Sequence, residues 1–420
     1  MIRKTGAAVM AAMMFMALLS GCSKEALAFT KAPRSISGSA FNNASEIEDV
    51  SDLNKTGYVD FAVDTFGKCC SDNNDNVLIS PASLLFAMEM AGAGANGNTL
   101  DEIQTVLMKD RDNADTLGYA AAYFELLEWK GCLRVANGAF INEDFEGSIY
   151  KEYCDYIEYY FDAEIDVTSF DEDGTGKIND WVSRNTKGMV PSIIDSPDPN
   201  EQLMLINTIA FDASWAHKYR EDDVLKDNTF TDADGNKEDV SLMFSREGVY
   251  IETDKVTGFI KPYESGYSFM ALLPKDDSVS ANEFMRDFSG SDYLAALDSR
   301  KSAVVESYLP EFSYDYSCDS FKDIFRSLGI NDAFSPDAAD FSNMSDRDLF
   351  ISRVIQKTHI EVDKDGTRAA AATAAGCMTS GSMTPTETYE VRLDRPFIYV
   401  IVDNETMSPL FLGTVNSVNS

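Results

Sequence analysis

Few residues in this chain are grouped in ways that could do covalent or metal chemistry. There are two histidines, His217 and His359, so a Ser-His-Asp or Cys-His site would have to use one of them. Both lie in strand-like runs, where packing or hydrogen bonding is the commoner role, and neither GxSxG nor HExxH occurs. Gly92-Ala-Gly94-Ala-Asn-Gly97 matches GxGxxG, but a dinucleotide fingerprint must follow a strand and open a helix. Here it follows a helical run that starts at Pro81, so it reads as a helix end and turn. Asp171-Glu-Asp173-Gly-Thr175-Gly176 resembles the start of a calcium loop, yet Val182 stands at the twelfth position, where a bidentate Glu is needed. A plain polar turn is expected there, and an acidic hairpin tip over 232–239. No metal, no cofactor and no catalytic residue is expected, and the chain does not read as an enzyme.

One stretch could do chemistry as a substrate instead. From Val362 to Pro385 the chain reads VDKDGTRAAAATAAGCMTSGSMTP. Alanine favours helix, but Asp365 and Gly366 precede the run and a Gly/Ser/Thr/Pro tail follows it. The run also lacks the β-branched and aromatic bulk of an ordinary strand. Its distinguishing property is size, because every side chain from Thr367 to Cys377 except Arg368 is small. In an extended chain alternate residues share a face, so Thr367, Ala369, Ala371, Thr373 and Ala375 form a uniformly small face. Arg368 lies on the other face. The stretch therefore suits a strand laid over a packed core with its one charge in water.

The elements that must present this stretch are legible in outline. Hydrophobic residues make up 44% of the 420 and aromatics 11%, ample for a sizeable core. A formal net charge of −35 excludes the basic face that nucleic-acid binding needs and indicates a solvated acidic surface. Residues 1–21 read as a signal peptide, with Arg3 and Lys4 before an apolar run too short to span a membrane. The run ends Leu19-Ser20-Gly21-Cys22, which resembles the bacterial lipobox and marks Cys22 for lipidation. Residues 22–52 then form a lipidated N-terminus and flexible tether. The expectation is an exported protein, anchored by lipid to a bacterial membrane (the outer one) and exposed at the cell surface or beneath it. The other cysteines (Cys69, Cys70, Cys132, Cys154, Cys318 and Cys377) contain no CxxC and read as incidental thiols rather than a disulfide framework.

Along 53–420 helical periodicity covers 55–70, with Tyr58, Phe61, Ala62, Thr65 and Phe66 on one face. NVLIS is a short strand, and Ser80-Pro81 opens a helix as N-cap and first-turn proline. Thr99-Leu-Asp-Glu102 has the form of a capping box. LRVANGAFIN, AEIDVTSF and LMLINTIAFDASW read as strands, and SIYKEYCDYIEYYF and KINDWVSRNTKGMV as helices. Asp234-Gly235 marks a hairpin. Three more strand runs (YSFMALLPK, VVESYLPEFSY and FISRVIQKTHIEV) and one helix, CDSFKDIFRSLG, follow before the C-terminal pair RPFIYVIVDN and PLFLGTV. Helices dominate the first half and strands the second, giving a mixed α+β class in one large domain and a monomer.

Five blocks in a fixed order resemble the serpins, a family of suicide protease inhibitors. They are ISPASLLFAMEMAGAGANGNTLDEI (79–103), INDWVSRNTKG (178–188), LINTIAFDASW (205–215), VDKDGTRAAAAT (362–373) and RPFIYVIVDNETMSPLFLGTV (395–415). The resemblance implies three β-sheets with eight or nine helices and an exposed reactive-centre loop. It also implies a target protease that attacks the loop and is trapped as an acyl complex. The hinge, Gly366, Thr367, Arg368, Ala369, Ala370, Ala371, Ala372 and Thr373, would insert into the large sheet. Ser80, Ser83, Asn207 and Gln356 match the shutter beneath that sheet, although relatives usually carry His where Gln356 stands. They usually carry Glu where Lys364 and Arg368 stand. Family spacing places the scissile bond at Ser380-Gly381, with Met378, Thr379 and Met383 as further candidates. The absence of Arg and Lys there points to an elastase-like serine protease. A papain-like cysteine protease, or a non-inhibitory binding protein of the same fold, is the alternative.

Overall fold

The computed structural model describes residues 57–70, 73–108, 113–130, 133–188, 190–195, 198–319, 321–367 and 387–419. The chain opens with α1 (Tyr58–Cys69), whose buried face includes Tyr58, Phe61, Ala62, Thr65 and Phe66 as the periodicity predicts. It starts later than expected, because Gly57 at φ +87 turns the chain away from helix. The short β1 (Leu78–Ile79) leads into α2 (Pro81–Gly94). There Ser80 accepts the Ser83 N–H as N-cap and Pro81 occupies the first turn. All residues of α2 are buried, so this helix runs through the core rather than over it. Gly94 permits that, since a Cβ there would lie 2.5 Å from the Met344 side chain.

Next come α3 (Gly97–Leu107), α4 (Asn113–Lys130), β2 (Leu133–Asn142), α5 (Lys151–Phe161), β3 (Glu164–Thr168) and α6 (Glu172–Asn185). The expected capping box is not one. The helix already begins at Gly97, Thr99 Oγ1 accepts the Asp340 N–H at 2.9 Å, and Glu102 Oε2 accepts Asn331 N–H and Asp332 N–H at 2.7 and 2.8 Å. Both side chains hold a distant segment instead of capping their own helix. The expected polar turn at Asp171 is instead the N-cap of α6, its carboxylate accepting the Gly174 N–H at 3.0 Å. Carboxylates beside the unpaired N–H groups of a first turn are favourable whether or not a cation is present.

The remaining elements are β4 (Leu203–Phe211), β5 (Ala213–Ser214), β6 (Val224–Thr231), β7 (Lys237–Glu252), β8 (Val256–Pro262), β9 (Tyr267–Pro274), α7 (Ala281–Arg286), α8 (Gly290–Asp298), β10 (Lys301–Pro310), β11 (Phe312–Cys318), α9 (Phe321–Leu328), β12 (Ile351–Val354), β13 (Gln356–Val362), β14 (Gly366–Thr367), β15 (Thr388–Arg392), β16 (Phe397–Asp403) and β17 (Pro409–Val415). A nine-stranded sheet is ordered β1-β17-β16-β9-β8-β7-β10-β15, with β6 on β7. Two four-stranded ladders, β12-β4-β2-β3 and β11-β13-β14-β5, complete the architecture. These ladders share their chain paths, because β4 continues into β5 and β12 into β13. They are the lower and upper parts of one split sheet.

Alternation along the strands assigns the faces. Leu203 and Leu205 of β4 and Ala139 and Ile141 of β2 face the main core. Met204, Ile206 and Phe140 face a second cluster with Ile178, Trp181 and Val182 of α6, which covers the lower ladder. On β13 the burial alternates strictly, with Gln356, Thr358, Ile360 and Val362 inward and Lys357, His359 and Glu361 less buried.

Candidate functional site: the split sheet and its hinge

In the lower ladder β4 and β12 pair in parallel, Leu203 with Ile351 and Leu205 with Val354. Above that point the ladder stops. Residues 206–212 and 355–361 run on without pairing to each other, and the connection resumes only through β14. There Gly366 pairs with Ser214 and Thr367 with Ala213 on one side, and Thr367 with Val362 on the other, all antiparallel. The start of the small-residue stretch is thus already a strand between β13 and β5.

The seat for these two residues is specific. A Cβ on Gly366 would lie 2.3 Å from the Ala213 carbonyl oxygen, so only glycine fits so close to β5. Thr367 is 3% exposed, and its hydroxyl lies 2.5 Å from the Tyr263 hydroxyl. A small cavity under Thr367 is walled by Leu78, Phe211, Ile360 and Phe411. Burial pushes the Tyr263 phenol well above its ordinary value, which keeps it neutral as a hydrogen-bond partner.

An aromatic frame holds the turn that precedes Gly366 and Thr367. Trp215 donates from its backbone to Asp365 O at 3.1 Å and from Nε1 to Asp363 O at 2.8 Å, and Tyr219 N–H donates to Lys364 O at 3.0 Å. The Asp363 carboxylate accepts the N–H groups of Asp365 and Gly366 at 2.8 and 3.0 Å. Trp215 stacks on Tyr263 with centroids 4.4 Å apart. Beneath them Lys261 pairs with Glu247 at 2.9 Å and lies 4.2 Å from the centre of the Tyr219 ring. A buried ion pair of this kind is worth more for fixing geometry than for net stability.

A polar cluster lies below the unpaired strands. The Gln356 amide grips the Ser80 backbone with two bonds, accepting Ser80 N–H at 2.9 Å and donating to Ser80 O at 3.0 Å. Ser80 Oγ donates to Leu410 O at 2.8 Å. Ser83 donates to both the carbonyl and the side-chain oxygen of Asn207, and Asn207 donates to Asn137, whose amide reaches Phe161 O at 2.5 Å. One set belongs to β13, the other to β4 and β2.

A family model described as "Serpin (serine protease inhibitor)" matches residues 56–418. The chain belongs to the serpin family. It is 30% identical over 391 residues to a leukocyte elastase inhibitor of Equus caballus, covering 86% of this chain and 98% of the relative. An uncharacterized serpin-like protein of Thermococcus kodakarensis is 29% identical over 350 residues, covering 81% and 80%. The native-state crystal structure of tengpin, a thermophilic serpin, superposes with TM-score 0.76 at 37% identity, covering 86% of this chain and 93% of that one. The serpin fold is mixed α+β with three sheets, as expected from the resemblance; among the described residues the hydrogen-bonded ladders number three when the two parts of the split sheet are counted separately, and nine α-helices occur. Members of this family are generally protease inhibitors rather than enzymes.

In this serpin Gly366 and Thr367 lie in the split sheet, and Ser80, Ser83, Asn207 and Gln356 are all buried beneath it. Gln356 bonds Ser80, and no bond joins it to Asn207 or Ser83 among the described residues. The remaining predicted positions (Cys22, Arg368 to Thr373, Met378, Thr379, Ser380, Gly381 and Met383) lie outside the described residues. Lys364, which departs from the usual family Glu, pairs with Glu221; that contact raises the lysine's pKa and lowers the carboxylate's. His359 lies on β13 with Nδ1 2.8 Å from Asp315. His217 is not in a strand as expected but in a bend, where its carbonyl accepts from Lys261. Among the described residues no group of three His, Cys, Asp or Glu is placed to hold a metal.

Sequence reasoning missed three contributors. Asn137 had a signal, an amide inside the apolar run LRVANGAFIN. Trp215 stood in a quoted block without an assigned task. Glu221 had no local signal, because its partner is 143 residues away.

Proposed function

We propose that this serpin is a suicide-substrate inhibitor of an elastase-like serine endopeptidase, held at a bacterial membrane by a lipid on Cys22. The observation that carries the inhibitory reading is the placement of Gly366 and Thr367, laddered on both sides between β13 and β5. A cleaved loop continuing from Thr367 would run between residues 206–212 and 355–361 and ladder with both. Each added hydrogen bond contributes roughly 1 kcal/mol net, and the small inward face adds burial without steric cost. The native state is then kinetically trapped above the inserted one, and the energy released on cleavage carries the acylated protease away with the strand.

The absence of Arg and Lys from Met378 to Thr384 supports an elastase-like target, as does the resemblance to the equine elastase inhibitor. The Leu-Ser-Gly-Cys22 ending supports the anchor. Incubation with elastase-, chymotrypsin- and papain-like proteases is expected to give an SDS-resistant complex with the elastase-like enzyme. Mass spectrometry of the released C-terminal fragment is expected to place the cut at Ser380-Gly381. A complex with the papain-like enzyme alone would reassign the target. Cleavage by every protease with no complex would leave a non-inhibitory binding protein.

A further inference from the structure

Two thiols with no recognisable spacing in the sequence meet in the fold. Cys69 ends α1 and Cys318 ends β11. Their residues are 8% and 7% exposed, and the two thiols hydrogen-bond each other. They line one cavity of about 560 Å³, together with Lys68, Asn73, Asp75 and Asp319. Asn73, Asp75 and Asp319 are exposed, so this cavity opens to solvent. Adjacent Cys70 is buried but does not line it. The thiols are therefore in contact with each other and reachable by a small reagent.

We propose that Cys69 and Cys318 form a disulfide in an oxidising medium, tying α1 to the edge strand of the split sheet. The oxidant is a disulfide, either a small one such as oxidised glutathione or that of a thiol-disulfide oxidoreductase. A bond forms between the two Sγ atoms, the oxidant's S–S bond is reduced to two thiols, and the two cysteine protons pass to them. Contact with Cys318 and burial both push the Cys69 thiol up, so the folded reduced pair reacts slowly. Cys318 stands opposite Gln356 in the ladder, so the bridge would fasten the β11–β13 side of the sheet close to where Gln356 grips Ser80. The proposal stands whether or not the chain traps a protease.

The test is to incubate the full chain with oxidised glutathione, then alkylate it under denaturing conditions and map its peptides without reduction. A linked peptide pair containing Cys69 and Cys318 is expected, with both thiols lost to alkylation together. The oxidised protein is expected to melt roughly 5 °C above the reduced one, because the bridge closes a long loop in the unfolded chain. Both measurements use the wild-type chain and depend on no variant folding. A control with Cys318→Ser is expected to lose the linked pair and the shift. Full alkylation of both thiols, glutathione adducts without a linked pair, or a bridge from Cys70 instead of Cys69 would each overturn the assignment.

Discussion

The two ends of the split sheet are built from the same chain paths and behave oppositely. At the lower end β4 and β12 pair in parallel beneath α6, with one irregularity between Ile351 and Arg353. At the upper end their continuations are kept apart by two residues, Gly366 and Thr367, wedged between Ser214 and Val362. The side chains of the polar cluster under the sheet fall on the two sides of the same line, joined at α2 by the Ser83 N–H to Ser80 Oγ cap. Gln356 is bonded to Ser80 on one side, and Asn207 to Ser83 and Asn137 on the other. Opening the sheet between β4 and β13 therefore breaks no side-chain hydrogen bond between Gln356 and Asn207. The lower end resists opening by its ladder and the covering helix, whereas the upper end is already begun.

The sharpest way to break this contrast is to spoil the wedge. Thr367→Arg would bury a charge at a site 3% exposed and remove the partner of the Tyr263 hydroxyl. Loss of SDS-resistant complex with continued loop cleavage is expected; unchanged inhibition would refute the hinge assignment.

The platform beneath both ends can be probed at Glu89, fully buried on α2 with neither carboxylate oxygen hydrogen-bonded among the described residues. Burial raises its pKa from 4.5 to about 8. Below about pH 4.5 the group is protonated in both the folded and unfolded states and costs nothing. Between about 4.5 and 8 the unfolded chain ionises while the folded one holds its proton, so stability falls by roughly 1.4 kcal/mol per pH unit and then levels off. Glu89→Gln is expected to flatten that slope and to be more stable at pH 8 by up to about 5 kcal/mol. Denaturant melts from pH 4 to 9 check this, and parallel slopes for the two proteins would exclude it.

The divided polar cluster predicts independence. Gln356→Ala leaves the buried Ser80 N–H without its partner, while the Ser80 C=O keeps the Leu84 N–H, and should cost about 2 kcal/mol. Combined with Asn207→Ala, the two effects should add within about 0.5 kcal/mol, because the side chains share no bond. A larger coupling in that double-mutant cycle would mean that the two sides act as one latch. The smallest effect is expected at the surface, where Lys364→Ala removes only an exposed pair with Glu221. Its melting temperature should match wild type within about a degree, and a large drop would make that pair part of the wedge.

Much of this was legible because it is local. Ser80-Pro81 opens α2 by capping chemistry that acts within one turn, and the apolar run from Leu203 to Phe211 demands a buried strand. The small parity from Thr367 onward follows from the alternation of an extended chain. Local signals also misled where a nearer partner was available on paper than in space. Thr99 and Glu102 looked like a box that caps its own helix, yet they hold residues 331–340. Asp171 looked like part of a loop and caps a helix.

By itself, then, the sequence determined most of the elements and the run of small side chains from Thr367 onward, because these depend on neighbours a few positions apart. Tertiary structure alone decided which partners meet. Examples are Gln356 on Ser80 across 276 positions, Lys364 on Glu221, Cys69 against Cys318, and the insertion of Gly366–Thr367 between β13 and β5, whose chain paths pair lower down as β12 and β4. No periodicity encodes such contacts. They exist because the packed core brings distant segments to one place, and burial there makes each polar group find a partner or bear the cost.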